Sequence, residues 1–172
     1  DCRCLGNRVF VPPGVPKGAN MRPLGEDVAE GEVALTSGRR IRAVDQAIAT
    51  AIGASRLHVY VRLKVALFSS GDEVCEPGSD LGPGQIYDSN RIILFGFLRA
   101  LGCSVTDMGI LPDRLEDCCS AIATAAQSHD LLISSGGVSV GEEDHIRAAI
   151  LANGSVDCWR LAIKPGRPLA LG

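Results

Sequence analysis

The chain has 172 residues, of which 46% are hydrophobic and 22% charged, with a formal net charge of -3. That length suffices for one full domain and part of another. The slight negative charge, with 17 basic residues scattered rather than striped, offers no long-range attraction for nucleic acid. No apolar run approaches the roughly 18 residues needed to span a bilayer, and no signal-peptide pattern opens the chain, so a soluble, cytoplasmic protein without a membrane partner is expected.

From Asp1 to about Met21, Pro12, Pro13, Pro16, Gly14 and Gly18 forbid a long helix and predict short strands and turns, the tail of a β-rich module. Arg22 to Arg62 carries the polar turn RPLGEDV, a strand-like VALTSG, a helix from about Ala43 to Ile52 closed by Gly53, and a strand from Leu57 to Val61. After Lys64 strand and helix alternate. Strands are expected at Val65–Phe68, Cys103–Met108, Leu131–Ser134 and Val156–Ile163, and helices at Asn90–Leu101, Leu115–Ser128 and Asp144–Asn153. This is an α/β pattern: a mostly parallel sheet with helices on both faces, preceded by a small β-rich or extended segment.

In an open parallel sheet, ligands bind beyond the carboxyl ends of the strands. The loops leaving those ends are SSGDE at 69–73, GILPDR at 109–114, SSGGVSVGEED at 134–144 and KPGRP at 164–168. Topology alone therefore gathers Asp72, Glu73, Asp113, Asp144 and Lys164 at one edge. In the third loop Gly136, Gly137 and Gly141 permit close backbone approach, and the hydroxyls of Ser134, Ser135 and Ser139 can face phosphate oxygens. A helix starting near Glu142 adds a partial positive charge.

Carboxylates around such a cradle would repel a phosphorylated ligand, a conflict that a divalent cation resolves. Hard oxygen ligands shared with phosphates fit Mg²⁺. Taken singly, Asp72, Glu73 and Asp113 read equally as turn residues and caps. Lys164, one of three lysines, offers a point charge to an oxyanion. Asp88, Ser89, Asn90 and Arg91 form a second polar knot, in which Asp88 or Ser89 caps the next helix and Asn90 and Arg91 offer donors to a ligand. The seven cysteines show no repeated zinc spacing, and reduced thiols are the plain reading.

The motifs RPLGEDV (22–28), SSGDE (69–73), GQIYDSNR (84–91), GILPD (109–113), SSGGVSVGEED (134–144) and WRLAIKPGRP (159–168) resemble, in order, the molybdopterin molybdenumtransferase family, the bacterial MoeA proteins and the gephyrin E domain. The resemblance implies that residues 1–21 end the β-rich inserted domain, 22–63 belong to the linking domain, and 64–172 are most of the molybdopterin-binding α/β domain, with both ends of the family's chain missing. It also implies the chemistry, in which molybdate enters the dithiolene of adenylylated molybdopterin with Mg²⁺-dependent release of AMP. Glu73, Asp113 and Asp144 would be Mg²⁺ ligands or orient its water, and Lys164 would neutralise molybdate or phosphate. The 134–141 turn, Gly71, Asp72, the 88–91 knot, Arg160, Pro165 and Gly166 would contact substrate, with Arg22 and Asp27 shaping the site edge or the domain junction. A homodimer of the full-length protein and an upstream adenylyltransferase partner are further implications.

Arg160 stands where relatives often carry Lys, which keeps the charge but not its shape. Two rivals share the fold. One is a pyrophosphate hydrolase of the competence-damage type, although its GGLGPT turn differs from the GGVSVG found here; the other is a non-catalytic scaffold.

Overall fold

The computed structural model describes residues 2–136, 145–164 and 168–172, without the side chains of 159, 160 and 168. The chain separates into two compact units, Asp1–Val59 and Tyr60–Gly172.

In the first unit, β1 (Arg3–Leu5) and β2 (Arg8–Phe10) form an antiparallel hairpin pairing Arg3 with Phe10. Helix α1 spans Ala43–Ala51 and stops at Gly53, whose φ of +83° lets the chain turn back so that Ala54 N–H reaches the Ala49 carbonyl at 2.9 Å. At its start Asp45 accepts the Arg42 backbone N–H at 2.9 Å and ion pairs with Arg39 and Arg42. Asp45 is closed off from solvent by these two arginines lying over it, and the Arg42 hydrogen bonds hold its carboxyl below the usual carboxylate range. The 22–34 segment runs beside α1 and bounds an open groove of about 1410 Å³. The expected strands at 33–38 and 57–61 do not form, and neither stretch has a strand to pair with among the described residues.

The second unit is built on β3 (Lys64–Ser70), which lies between β6 (Ser104–Leu111) and β7 (Leu131–Ser135), parallel to both. Val65 to Ser70 are all buried, as a strand covered on two faces and two edges requires. Its side chains alternate. Val65 and Leu67 pack with Leu98 of α2 (Asn90–Ala100), whereas Phe68 packs with Cys118 and Ile122 of α3 (Leu115–Ala126) and Ile146 and Ala149 of α4 (His145–Asn153). Each fully buried aliphatic chain contributes roughly 1.5–3 kcal/mol. Helices therefore cover both faces, as the alternating pattern predicts.

Strand β6 runs past the expected end at Met108 because a register shift opposite Phe68, with Gly109 at φ +76°, absorbs an extra residue before pairing resumes at Ser69–Ile110 and Ser70–Leu111. Two elements escaped the pattern: β4 (Val74–Cys75) and β5 (Ile86–Tyr87) bridge in parallel and close a loop off the end of β3. The strand expected over 156–163 shrinks to β8 (Cys158–Arg160), which pairs antiparallel with β9 (Pro168–Leu171) rather than extending the parallel sheet.

Candidate functional site at the carboxyl edge of the parallel sheet

Register sets the site. Ser70 pairs with Leu111 and Ser69 with Ser135, so the carboxyl ends of β3, β6 and β7 lie at one level. The loops that begin there carry Gly71, Asp72 and Glu73 after β3, Asp113 after β6, and Gly136 after β7. Gly136, at φ +93°, lies so close to β3 that a Cβ would meet the Ser70 carbonyl oxygen at 2.3 Å. Only glycine permits both that dihedral and that approach. Ser134 donates to the Gly136 carbonyl at 3.3 Å, which shapes the same turn.

Glu73 folds back over Gly71: a Cβ on Gly71, whose φ is +140°, would lie 2.6 Å from a Glu73 carboxylate oxygen. The exposed carboxylate is thereby laid against the end of the central strand. Asp113 is half-buried and close enough to Cys118 to oppose its ionisation, while burial itself is the main force pushing that thiol up. Ser69 and Ser70 are each 1% exposed, and neither hydroxyl has a hydrogen-bond partner among the described residues, although Ser69 lies beside Asp88 and Ser70 beside Cys118. Buried, unsatisfied hydroxyls at a strand end are unusual and costly.

The 88–91 knot differs from expectation. Ser89 makes no side-chain cap; Asp88 does, accepting the Arg91 backbone N–H at 3.1 Å. Arg91 is not presented to a ligand. Its guanidinium is 4% exposed and donates through Nε to Asp88 at 2.8 Å, through Nη1 to Asp107 at 2.5 Å and through Nη2 to Glu76 at 2.5 Å. Burial opposes the charge on Asp88, but the adjacent Ser69 hydroxyl and the Arg91 hydrogen bonds outweigh it and hold that carboxyl below the usual range; because Ser69 makes no bond of normal geometry, Arg91 is the cause we assign. Sequence reasoning missed Glu76 and Asp107. A signal existed: Arg91 shares a helical stripe with core-packed Leu94, Phe95 and Leu98, and a cation on an apolar face demands carboxylates.

Ser89 and Asn90 are exposed at the start of α2. Lys164 is exposed, in the connection between β8 and β9. Arg22 and Asp27 belong to the first unit, where Arg22 ion pairs with Glu26 and Asp27 in a solvent-exposed cluster. Asp144, Gly137, Ser139, Gly141, Pro165 and Gly166 lie outside the described residues, as does the side chain of Arg160. No cluster of three or more His, Cys, Asp or Glu side chains suited to a metal occurs among the described residues. No helix among them is long and apolar enough to cross a membrane.

An open parallel layer with glycine and carboxylate loops at its carboxyl edge defines an α/β ligand-binding domain. Residues 66–172 match the family described as probable molybdopterin binding domain, and the chain belongs to that family. It is 42% identical over 153 residues, 89% of the chain, to the molybdopterin molybdenumtransferase of Haemophilus influenzae, and 29% identical over 175 residues to the gephyrin of Dictyostelium discoideum. Its fold superposes on a molybdopterin biosynthesis MoeA protein from Pyrococcus horikoshii OT3 with a TM-score of 0.79 at 28% identity, covering 99% of this chain and 41% of that one. The chain spans 38% of the Haemophilus protein and 24% of the Dictyostelium one.

Proposed function

We propose that the chain is the pterin-binding part of a molybdopterin molybdenumtransferase, which acts in molybdenum cofactor biosynthesis by inserting molybdate into adenylylated molybdopterin and releasing AMP. The observation that carries this reading is the common level of the three strand ends, where Gly136 is stacked on the Ser70 carbonyl and Glu73 is folded against Gly71.

The donor set fits Mg²⁺. Its side chains are oxygen donors, the carboxylates of Glu73 and Asp113 on loops that leave the same sheet edge, and Mg²⁺ accepts one or two carboxylates while sharing phosphate oxygens and keeping waters. Glu73 and Asp113, with Asp144, would hold the ion, which would offset phosphate charge and polarise the phosphoanhydride. The chain's own part is positioning. Ser134, Ser135 and the glycines that follow present hydroxyls and backbone N–H groups to the phosphates. Lys164 supplies a compact cation to molybdate or to the phosphate, with Arg160 as a second positive group. When the phosphoanhydride is cleaved, water adds to the pterin-side phosphorus and gives up a proton to solvent while the bond from that phosphorus to the bridging oxygen breaks, so that AMP leaves with the bridging oxygen and its electron pair. The remaining assignments are a homodimer of the full-length protein, supply of substrate by an adenylyltransferase, and a cytoplasmic location.

Titration of AMP into the full-length protein at fixed Mg²⁺ tests the reading. Glu73→Ala and Asp144→Ala should each weaken binding about tenfold, the ~1.4 kcal/mol expected for one charge-assisted contact. Unchanged affinity in both variants would remove these residues from the site.

A further inference from the structure

Between β3 and α2 the chain makes an excursion, residues 71–87, whose middle reads EPGSDLGPGQ. Such a composition cannot hold itself by burial: Leu81 is 47% exposed, and three glycines and two prolines fill much of the remainder. Its attachments are few. Glu73 and Cys75 carbonyls accept Ile86 and Asp88 N–H groups at 2.8 and 2.9 Å, Tyr87 Oη donates to the Ser79 carbonyl at 2.9 Å, and Glu76 takes the Nη2 group of Arg91.

We propose that Arg91 is a positioning residue, a buried guanidinium that clamps this excursion to α2 and β6 through Glu76, Asp88 and Asp107 and thereby sets where the Glu73 carboxylate stands at the sheet edge. The inference rests on the reading of Glu73 as a site residue given above. Three carboxylates from three different stretches of chain converge on one planar fork, and each takes a different nitrogen. A lysine could not reproduce that, because a single ammonium cannot span three separated acceptors. A capping role for Asp88 needs no Arg91 side chain, and the apolar stripe of α2 would accept a leucine at this position. Neither local role accounts for the arginine. Glu76, only three residues beyond Glu73, is also the most exposed member of the cage, with 54% of its side chain accessible against 4% for Arg91. It is therefore the point at which the clamp can be opened while Arg91 stays paired with Asp88 and Asp107.

The test uses the full-length protein with Glu76→Ala, Glu73→Ala, the double variant and Arg91→Lys, read by hydrogen exchange and by AMP titration at fixed Mg²⁺. Glu76→Ala should speed amide exchange over residues 74–88 at least tenfold while β3, β6 and β7 stay protected. It should also weaken AMP binding about as much as Glu73→Ala does, and the double variant should bind no worse than either single one. That non-additivity is what a merely structural role would not produce. Arg91→Lys should reproduce the exchange change. Unaltered exchange in Glu76→Ala would refute the clamp. Faster exchange with wild-type affinity, or additive losses in the double variant, would refute positioning of Glu73. If Glu73→Ala binds AMP like wild type, the functional reading fails and the positioning claim falls with it, while the exchange data still report separately on the clamp.

Discussion

Gly136→Ala is expected to destabilise the second unit far more than a glycine replacement of the same backbone class elsewhere. Two costs combine. An L-residue at φ +93° pays about 1–2 kcal/mol for the left-handed conformation. The new methyl would also sit 2.3 Å from the Ser70 carbonyl oxygen, inside any normal contact, so the ends of β3 and β7 must part by the better part of an ångström. Overpacking of that kind costs about 1–3 kcal/mol, for a total of about 2–5 kcal/mol. Gly102, just past α2, supplies the control, since its φ is +91° and nothing lies within 4 Å of the position a Cβ would take. Gly102→Ala should pay the conformational cost alone. Guanidinium denaturation, compared through midpoints at constant slope, separates the two. Equal midpoint shifts, or a larger one for Gly102→Ala, would show that the close approach between the strand ends carries no energetic weight.

The Asp88–Arg91 pair predicts a sign for acid stability. Because folding depresses the Asp88 carboxyl, its contribution is fully present above the unfolded carboxylate pKa of about 3.9 and is lost as pH falls through the lower folded value. Asp88→Asn should therefore be less stable at neutral pH and show a flatter loss below pH 4 than wild type, although Glu76 and Asp107 still face Arg91; identical pH profiles in urea titrations would contradict it. Cys118, 0% exposed and with its thiol pushed up by burial, should resist iodoacetamide in the folded protein, whereas the exposed Cys2 and Cys4 should be alkylated promptly. Mass spectrometry of the labelled peptides distinguishes them.

The helices were legible where local signals mark a limit. Gly53 and Gly102 close α1 and α2, and Glu116 and Asp117 favour the start of α3. Strand existence in the second unit was equally plain, whereas strand extent was not. The continuation of β6 past Gly109 depends on an irregularity in pairing with β3, which no local pattern reports. The stretches at 33–38 and 57–61 show the converse: strand-like composition yields no strand without a neighbour to take its backbone hydrogen bonds. At the site, the placement of Glu73 and Asp113 at one edge follows from topology. The fate of Arg91 does not, because its carboxylates come from positions 76, 88 and 107 and meet only in three dimensions.

The place of β3 at the centre of its layer has a consequence for biosynthesis. This strand leaves the ribosome before the two that flank it and before every helix that covers it. A nascent chain that has emerged only through α3 displays Phe68 without Ile146 and Ala149, and holds one open strand edge where β7 will pair. Long-range parallel pairing is intrinsically slow, and unpaired apolar edges are the surfaces on which incomplete chains associate. The exposed state of β3 therefore ends only when β7 pairs with its free edge and α4 covers Phe68.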